Sequence, residues 1–139
     1  MPRVARWFIK AGLVYLVLAL LAGVLIQARA VVDLPGWVAG LRPVHIHLLV
    51  VGWVTQLIVG VGYWMFPKFS RERPRGSETG AWITFVLLNT GLILRVIGEP
   101  LNAVRSDLGA GLVLALSALL QLIGGWAFVA AVWPRVKAR

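Results

Sequence analysis

Long apolar runs separated by short polar connections dominate the pattern along this chain. Four runs are close to the roughly 20 apolar residues that a helix needs to cross a bilayer core: Trp7–Gln27, Val44–Phe66, Ala81–Ile97 and Leu108–Trp133. The connections at residues 28–43, 67–80 and 98–107 are rich in proline, glycine or charge. The pattern predicts an all-α, integral membrane four-helix bundle in which residues 1–139 form a single transmembrane domain.

Composition supports this prediction and narrows the available chemistry. Of the 139 residues, 60% are hydrophobic, which is more than ordinary soluble domains contain. The absence of cysteine excludes disulfides, thiolate zinc sites, iron–sulfur clusters and covalently attached c-type haem. Any cofactor must therefore be held by histidine or by weaker oxygen ligands.

The net charge of +9 arises from basic residues that cluster between the apolar runs. Ten of the 14 basic residues fall on the side that would hold both chain ends and the connection at residues 67–80. An excess of lysine and arginine marks the cytoplasmic side of a membrane protein. We therefore expect both ends in the cytoplasm, a retained first helix rather than a signal peptide, membrane lipid as a partner, and no nucleic acid.

Both histidines lie in the segment RPVHIHLLVVGW, residues 42–53, at the predicted outer end of the second helix. Residues two apart on a helix point about 200° apart, so His45 and His47 face different surroundings. The stripe that contains His45 continues through Leu49, Gly52, Gln56, Gly60 and Tyr63. We predict that this stripe faces the interior, because glycines allow close approach and a glutamine needs a partner within lipid.

Two interpretations of this stripe stay open at this point. The glycines either make room for a flat cofactor or form a helix–helix seam, with His45 hydrogen-bonded near the interface. Arg95, within the third run, is similarly ambiguous, since it either binds an anionic group near the outer surface or pairs with Glu99 four residues later. His47 is interpreted as a packed or interfacial histidine rather than as a ligand.

The segment RPVHIHLLVVGW, followed by GVGYWMFPKF at residues 60–69, resembles the second transmembrane helix of the haem–copper oxidase catalytic subunit. The similarity is closest to C-type oxidases and nitric oxide reductases. It covers roughly the first three helices, since GLVYLVLALLAGVLIQ at residues 12–27 is similar to the family's first helix. The positions that match in the second helix are Arg42, Pro43, His45, Gly52, Trp53, Tyr63 and Pro67.

This resemblance implies a haem b site near the outer membrane face. His45 would be the axial ligand of the haem iron, Gly52 would give the ring room, and Arg42 and Arg95 would hold the propionates. Guanidinium groups suit that last role because they form charge-assisted hydrogen bonds with carboxylates. His47 is the less favoured metal ligand. The resemblance also implies a bacterial or archaeal cytoplasmic membrane.

Three functions follow as hypotheses. The first is a small b-type haem protein for electron transfer or for gas or redox sensing, assembled as a homo-oligomer (dimer or trimer) or within a respiratory complex. Two histidines do not supply the ligands of an oxygen-reducing centre, so an autonomous enzyme is not expected. The second is a cofactor-free accessory or assembly subunit of a respiratory complex. The third is a copper- or zinc-handling protein that uses His45 and His47 at the outer face.

Overall fold

The computed structural model describes residues 1–71 and 78–136, and all regular structure in those residues is helical. Helix α1 is Arg3–Ala28. The second span is a continuous rod made of α2 (Leu41–His47), a π-helical segment (Leu48–Thr55) and α3 (Gln56–Met65). Helix α4 is Glu78–Val104 and α5 is Leu108–Val132. Two short 3₁₀ helices, Gly36–Gly40 and Trp133–Arg135, precede α2 and follow α5.

Four helical segments of the described chain are long and apolar enough to cross a membrane. They are Arg3–Ala28, Gly36–Met65, Glu78–Val104 and Leu108–Arg135. Many of their large apolar side chains are exposed, as expected where lipid rather than water is the surrounding medium. The predicted all-α membrane fold with four spans is confirmed.

The third span is longer than predicted. The sequence pattern predicts Ala81–Ile97, whereas α4 continues to Val104 with Pro100 inside the helix. A proline removes one backbone hydrogen bond and crowds the carbonyl four residues earlier. This disturbance falls in the final turns of α4, next to an i,i+4 ion pair between Arg95 and Glu99 at 2.8 Å that supports the helix. The third connection therefore shrinks to residues 105–107.

Packing divides the interior into two clusters. Helix α1 lies along the second span, α4 contacts both, and α5 packs mainly on α4. The cluster near the chain ends contains Val4, Phe8, Val59, Tyr63, Ala81 and Leu88. The cluster at the opposite end contains Ala19, Val38, Leu41, Val44, Leu48 and Leu92.

The two ends of the bundle carry different chemistry. Gly60 lies against Phe8, and Arg135 bonds the carbonyls of Tyr63 and Pro67, so α1 begins at the end where α5 finishes. His45 lies at the opposite end, beside Ala19. The structure thus puts residues 3 and 135 at one end of the bundle. That this end faces the cytoplasm stays a prediction.

The π-helical segment changes the register of the second span. Residues 44, 48, 52 and 56 are buried, a spacing of four that fits a turn wider than that of an α-helix. Thr55 donates a hydrogen bond to the carbonyl oxygen of Val50 at 2.8 Å, five residues earlier. Leu48 therefore takes the buried position that the α-helical pattern assigns to Leu49. The rest of the interior stripe, from Gly52 to Tyr63, is buried as predicted.

Candidate functional site

The ring of His45 is held by the first helix. Its Nδ1 lies 2.8 Å from the backbone carbonyl oxygen of Ala19, in the middle of α1. A carbonyl oxygen only accepts, so Nδ1 carries the proton and donates it. In the neutral tautomer that fits this bond, Nε2 carries the lone pair with which the ring can bind a metal ion. A backbone carbonyl that fixes the ring in this way is the usual support of a metal-ligating histidine.

Gly23 allows the imidazole to approach α1. A Cβ atom at this position would stand 3.1 Å from Cε1 of His45, which is closer than side chains normally pack, and 3.5 Å from Nδ1, which is ordinary contact. Sequence reasoning missed Gly23 as a site residue. The signal available in the sequence is a glycine in the outer third of the first apolar run, at the predicted depth of the histidine.

His45 lines a groove that runs along the outside of α1 and α2, which we call the His45 groove. Two adjoining hollows of about 360 and 590 Å³ form it, and both contain Gly23, Gln27 and His45. Pockets for small molecules and cofactors have volumes of roughly 300–1,000 Å³. The other lining residues are Leu20, Val24, Ile26, Ala28, Arg42 and Ile46. The groove is therefore mostly apolar, with one imidazole and one guanidinium.

Arg42 is brought to the same groove, as the sequence predicts. Its side chain is exposed, and it has no hydrogen-bond or ion-pair partner among residues 1–71 and 78–136. A guanidinium without a carboxylate partner retains its full capacity to bind an anionic group. Arg42 and His45 thus offer complementary chemistry along one surface.

Gly52 does not face the His45 groove. A Cβ atom there would stand 2.8 Å from Cβ and 2.9 Å from Cγ of Tyr15, and 3.0 Å from a methyl group of Leu92. The space beside this glycine is therefore filled by helices α1 and α4. This packing agrees with the interpretation that the glycines of the stripe form a helix–helix seam. Tyr15 uses the close approach to donate a 2.7 Å hydrogen bond to Oδ1 of Asn89.

Arg95 also lies away from the groove. Its guanidinium bonds Glu99 at 2.8 Å and donates to the hydroxyl of Ser117 on α5 at 3.3 Å. The structure therefore shows the local i,i+4 pair that the sequence offered as one interpretation. A role for Arg95 in holding a propionate stays a prediction.

His47 is turned to its own helix. Its Nδ1 lies 2.8 Å from the carbonyl oxygen of Pro43, one turn earlier. The two imidazoles therefore bond to different carbonyls on different elements. Within the described ranges, no group of three or more histidine, aspartate or glutamate side chains is placed to hold a metal ion.

Gln56 is a buried polar residue in the middle of the second span. Its side chain is fully buried, and neither amide atom has a hydrogen bond within the described part of the chain. Burying such a group without partners is unfavourable by about 1–3 kcal/mol. Gln56 directly follows the π-helical segment, and its Cβ packs beside Gly12 of α1.

Comparison with known proteins identifies the family. The family model described as cytochrome c and quinol oxidase polypeptide I matches residues 3–138, which is nearly the whole chain. No curated protein and no solved structure matches significantly. The match extends beyond the three helices on which the sequence resemblance rests. Together with the four apolar helices and the histidine of the second span, it shows that this integral membrane protein belongs to the cytochrome c and quinol oxidase polypeptide I family, the haem–copper oxidase subunit I superfamily.

Proposed function

We propose that the protein is a small b-type haem-binding membrane protein that transfers electrons or senses a gas or redox state. It would work in a bacterial or archaeal cytoplasmic membrane, with His45 near the outer face. Haem, when bound, supplies reversible one-electron exchange. With two histidines, the chain would not reduce oxygen by itself.

The observation that carries this proposal is the hydrogen bond from His45 to the carbonyl oxygen of Ala19. It holds the ring on α1 and leaves Nε2 as the nitrogen that is not used by this bond, beside an apolar groove of suitable volume. Arg42 would bind a propionate at the same groove. These residues fit the group that the family implies, although Gly52 contributes to helix packing rather than to the groove.

The His45 groove is open on its outer side, so a bound cofactor would need another molecule to cover it. A pocket normally buries 70–90% or more of a ligand's surface, and six-coordinate haem needs a second axial ligand. The only other histidine in the sequence, His47, does not line this groove. A second copy of the chain would cover the haem and bring a second His45. We therefore propose a homo-oligomer, with a dimer as the smallest assembly that completes the site.

A visible spectrum tests the haem assignment. Protein produced with ample haem should show a Soret band and a reduced-minus-oxidised difference spectrum of the b type. His45→Ala should lose the band, because it removes the only groove imidazole. His47→Ala is the matched control and should keep it, because His47 is not among the residues that line the His45 groove. An unchanged spectrum in His45→Ala would overturn the assignment.

A cofactor-free accessory or assembly subunit is the second candidate function. Two observations favour it: a single imidazole lines the groove, and Tyr15 and Leu92 fill the space beside Gly52. It predicts a colourless protein that co-purifies with a larger respiratory complex. Intact-complex mass measurement in mild detergent separates the two candidates, since self-association with bound haem supports the first and a colourless hetero-complex supports the second.

Copper or zinc handling is the third candidate, and it rests on the His-x-His spacing. The separate bonds of His45 and His47 to different carbonyls do not favour a shared ion on one protomer. Elemental analysis of the purified protein decides this case, because a dedicated site requires a stoichiometric amount of copper or zinc.

A further inference from the structure

A second candidate binding surface lies at the opposite end of the bundle from His45. Arg3, Arg6, Trp7 and Lys10 surround a recess of about 340 Å³ at the start of α1. With 3.6 residues per turn, these four positions fall within an arc of about 100°. We call this surface the α1 basic recess. Unlike the His45 groove, it combines several cations with an aromatic wall.

The cations of the recess have no acidic partner within residues 1–71 and 78–136. Arg3, Arg6 and Lys10 are exposed, and no carboxylate pairs with any of them in the described structure. The first turn of α1 contains no acidic residue, and its N-cap, Pro2, has no side-chain cap. Positive side chains at a helix N-terminus add to the positive end of the helix dipole. The local field therefore strongly favours an anion.

The aromatic wall of the recess is held in place. Trp7 makes an edge contact with Phe85 of α4, with ring centroids 6.4 Å apart, while 55% of its surface stays exposed. Tryptophan indoles concentrate at the level of lipid headgroups. The position of Trp7 therefore suits a recess at the level of the lipid headgroups, and the basic residues supply the charge that an anionic headgroup needs.

The face above the recess indicates that the anion belongs to a lipid. Val14, Val17 and Leu21 follow on the same side of α1, and each is more than half exposed. By helical geometry they lie within the arc that contains the basic residues. A phosphate among the cations would therefore carry its acyl chains along an apolar strip. Free phosphate would gain nothing from that strip.

We propose that the α1 basic recess binds the phosphate of an anionic phospholipid, with the acyl chains along Val14, Val17 and Leu21. The guanidinium groups of Arg3 and Arg6 supply the hydrogen bonds to phosphate oxygens, and Lys10 adds a further charge. The site is independent of haem binding, because it lies at the other end of the protein. It is also distinct from the general excess of basic residues at this end, because it combines charge, an aromatic wall and an apolar strip.

Native mass spectrometry of the full chain with added lipid tests this proposal. The probe is phosphatidylglycerol, with phosphatidylcholine as the zwitterionic comparison. Arg3→Gln/Arg6→Gln should weaken the first phosphatidylglycerol binding event about thirty-fold, since each basic residue near a membrane surface contributes about a factor of five to anionic-lipid affinity. Lys68→Gln/Arg71→Gln is the matched control, because it removes the same charge from exposed residues of another connection and should leave the affinity unchanged.

Three results would overturn the proposal. An equal loss in both double variants would mean that total charge, not the recess, binds the lipid. Equal affinity for phosphatidylcholine would remove the anion requirement. Displacement of the lipid by millimolar inorganic phosphate would assign the recess to a free anion. If the double variant does not fold, Lys10→Gln alone should lower the affinity about five-fold, and no change would equally refute the site.

Discussion

Arg135 provides the strongest test of how the bundle is held together, because its side chain is buried although its charge suggests a surface position. Its exposed fraction is 1%. The guanidinium donates to the carbonyl oxygens of Tyr63, Phe66 and Pro67 at 3.1, 2.8 and 3.0 Å. These carbonyls lie at the end of α3, where helix carbonyls lack partners. Arg135 therefore caps α3 from the far end of the chain.

The expected effect of Arg135→Ala follows from these contacts. Hydrogen bonds to a charged group contribute about 1.5–3 kcal/mol each, which gives about 4.5 kcal/mol for three bonds at the lower value. Water at the end of the bundle would re-solvate part of the freed carbonyls. We therefore expect the free energy of unfolding to fall by about 2–4 kcal/mol. Arg135→Lys should recover only part of this loss, because one ammonium group cannot reproduce the planar fork.

Unfolding of the detergent-solubilised protein, followed by tryptophan fluorescence during titration with a denaturing detergent, measures this change. Arg105→Ala is the control, because Arg105 forms an exposed ion pair with Asp107 at 3.1 Å and has 76% of its side chain exposed. Such pairs contribute about 0–1 kcal/mol. If Arg135→Ala unfolds at the same point as Arg105→Ala, the capping role is refuted.

Two glycine substitutions test close approaches of α1 to the second span. Gly52→Ala places a Cβ 2.8 Å from Tyr15 and should destabilise the protein by about 1–3 kcal/mol in the same unfolding assay. Gly125→Ala is the control and should not destabilise it, because nothing lies within 4 Å of a Cβ there. Equal stability of the two variants would contradict the helix–helix seam at Gly52. Gly23→Ala places a Cβ 3.1 Å from His45 and should lower haem affinity about ten-fold if the groove binds haem, because the supporting hydrogen bond is displaced. The ratio of Soret to protein absorbance measures this, and an unaltered ratio would remove Gly23 from the site.

The sequence was sufficient for the membrane fold and for part of the site. Hydropathy is a sum over neighbouring residues, so long apolar runs predict spans whatever they pack against. The resemblance of the second span to the oxidase family, rather than hydropathy, put His45 and Arg42 in one motif, and both line one groove. Hydropathy placed the end of α4 too early, because the apolar run ends at Ile97 whereas the helix continues through Pro100 to Val104.

Only the tertiary structure decided how the helices are rotated and which distant groups meet. The bond from His45 to Ala19 joins residues 26 positions apart, and the bond from Arg135 to Tyr63 joins residues 72 positions apart. Such contacts depend on the crossing of whole helices, and the wider turn of the π-helical segment changes which residues of the second span face inward. The sequence alone therefore determined the four spans and limited the candidate ligands to two histidines, whereas the packing of α1 against the second span decided that His45 is held by α1 and lines the groove.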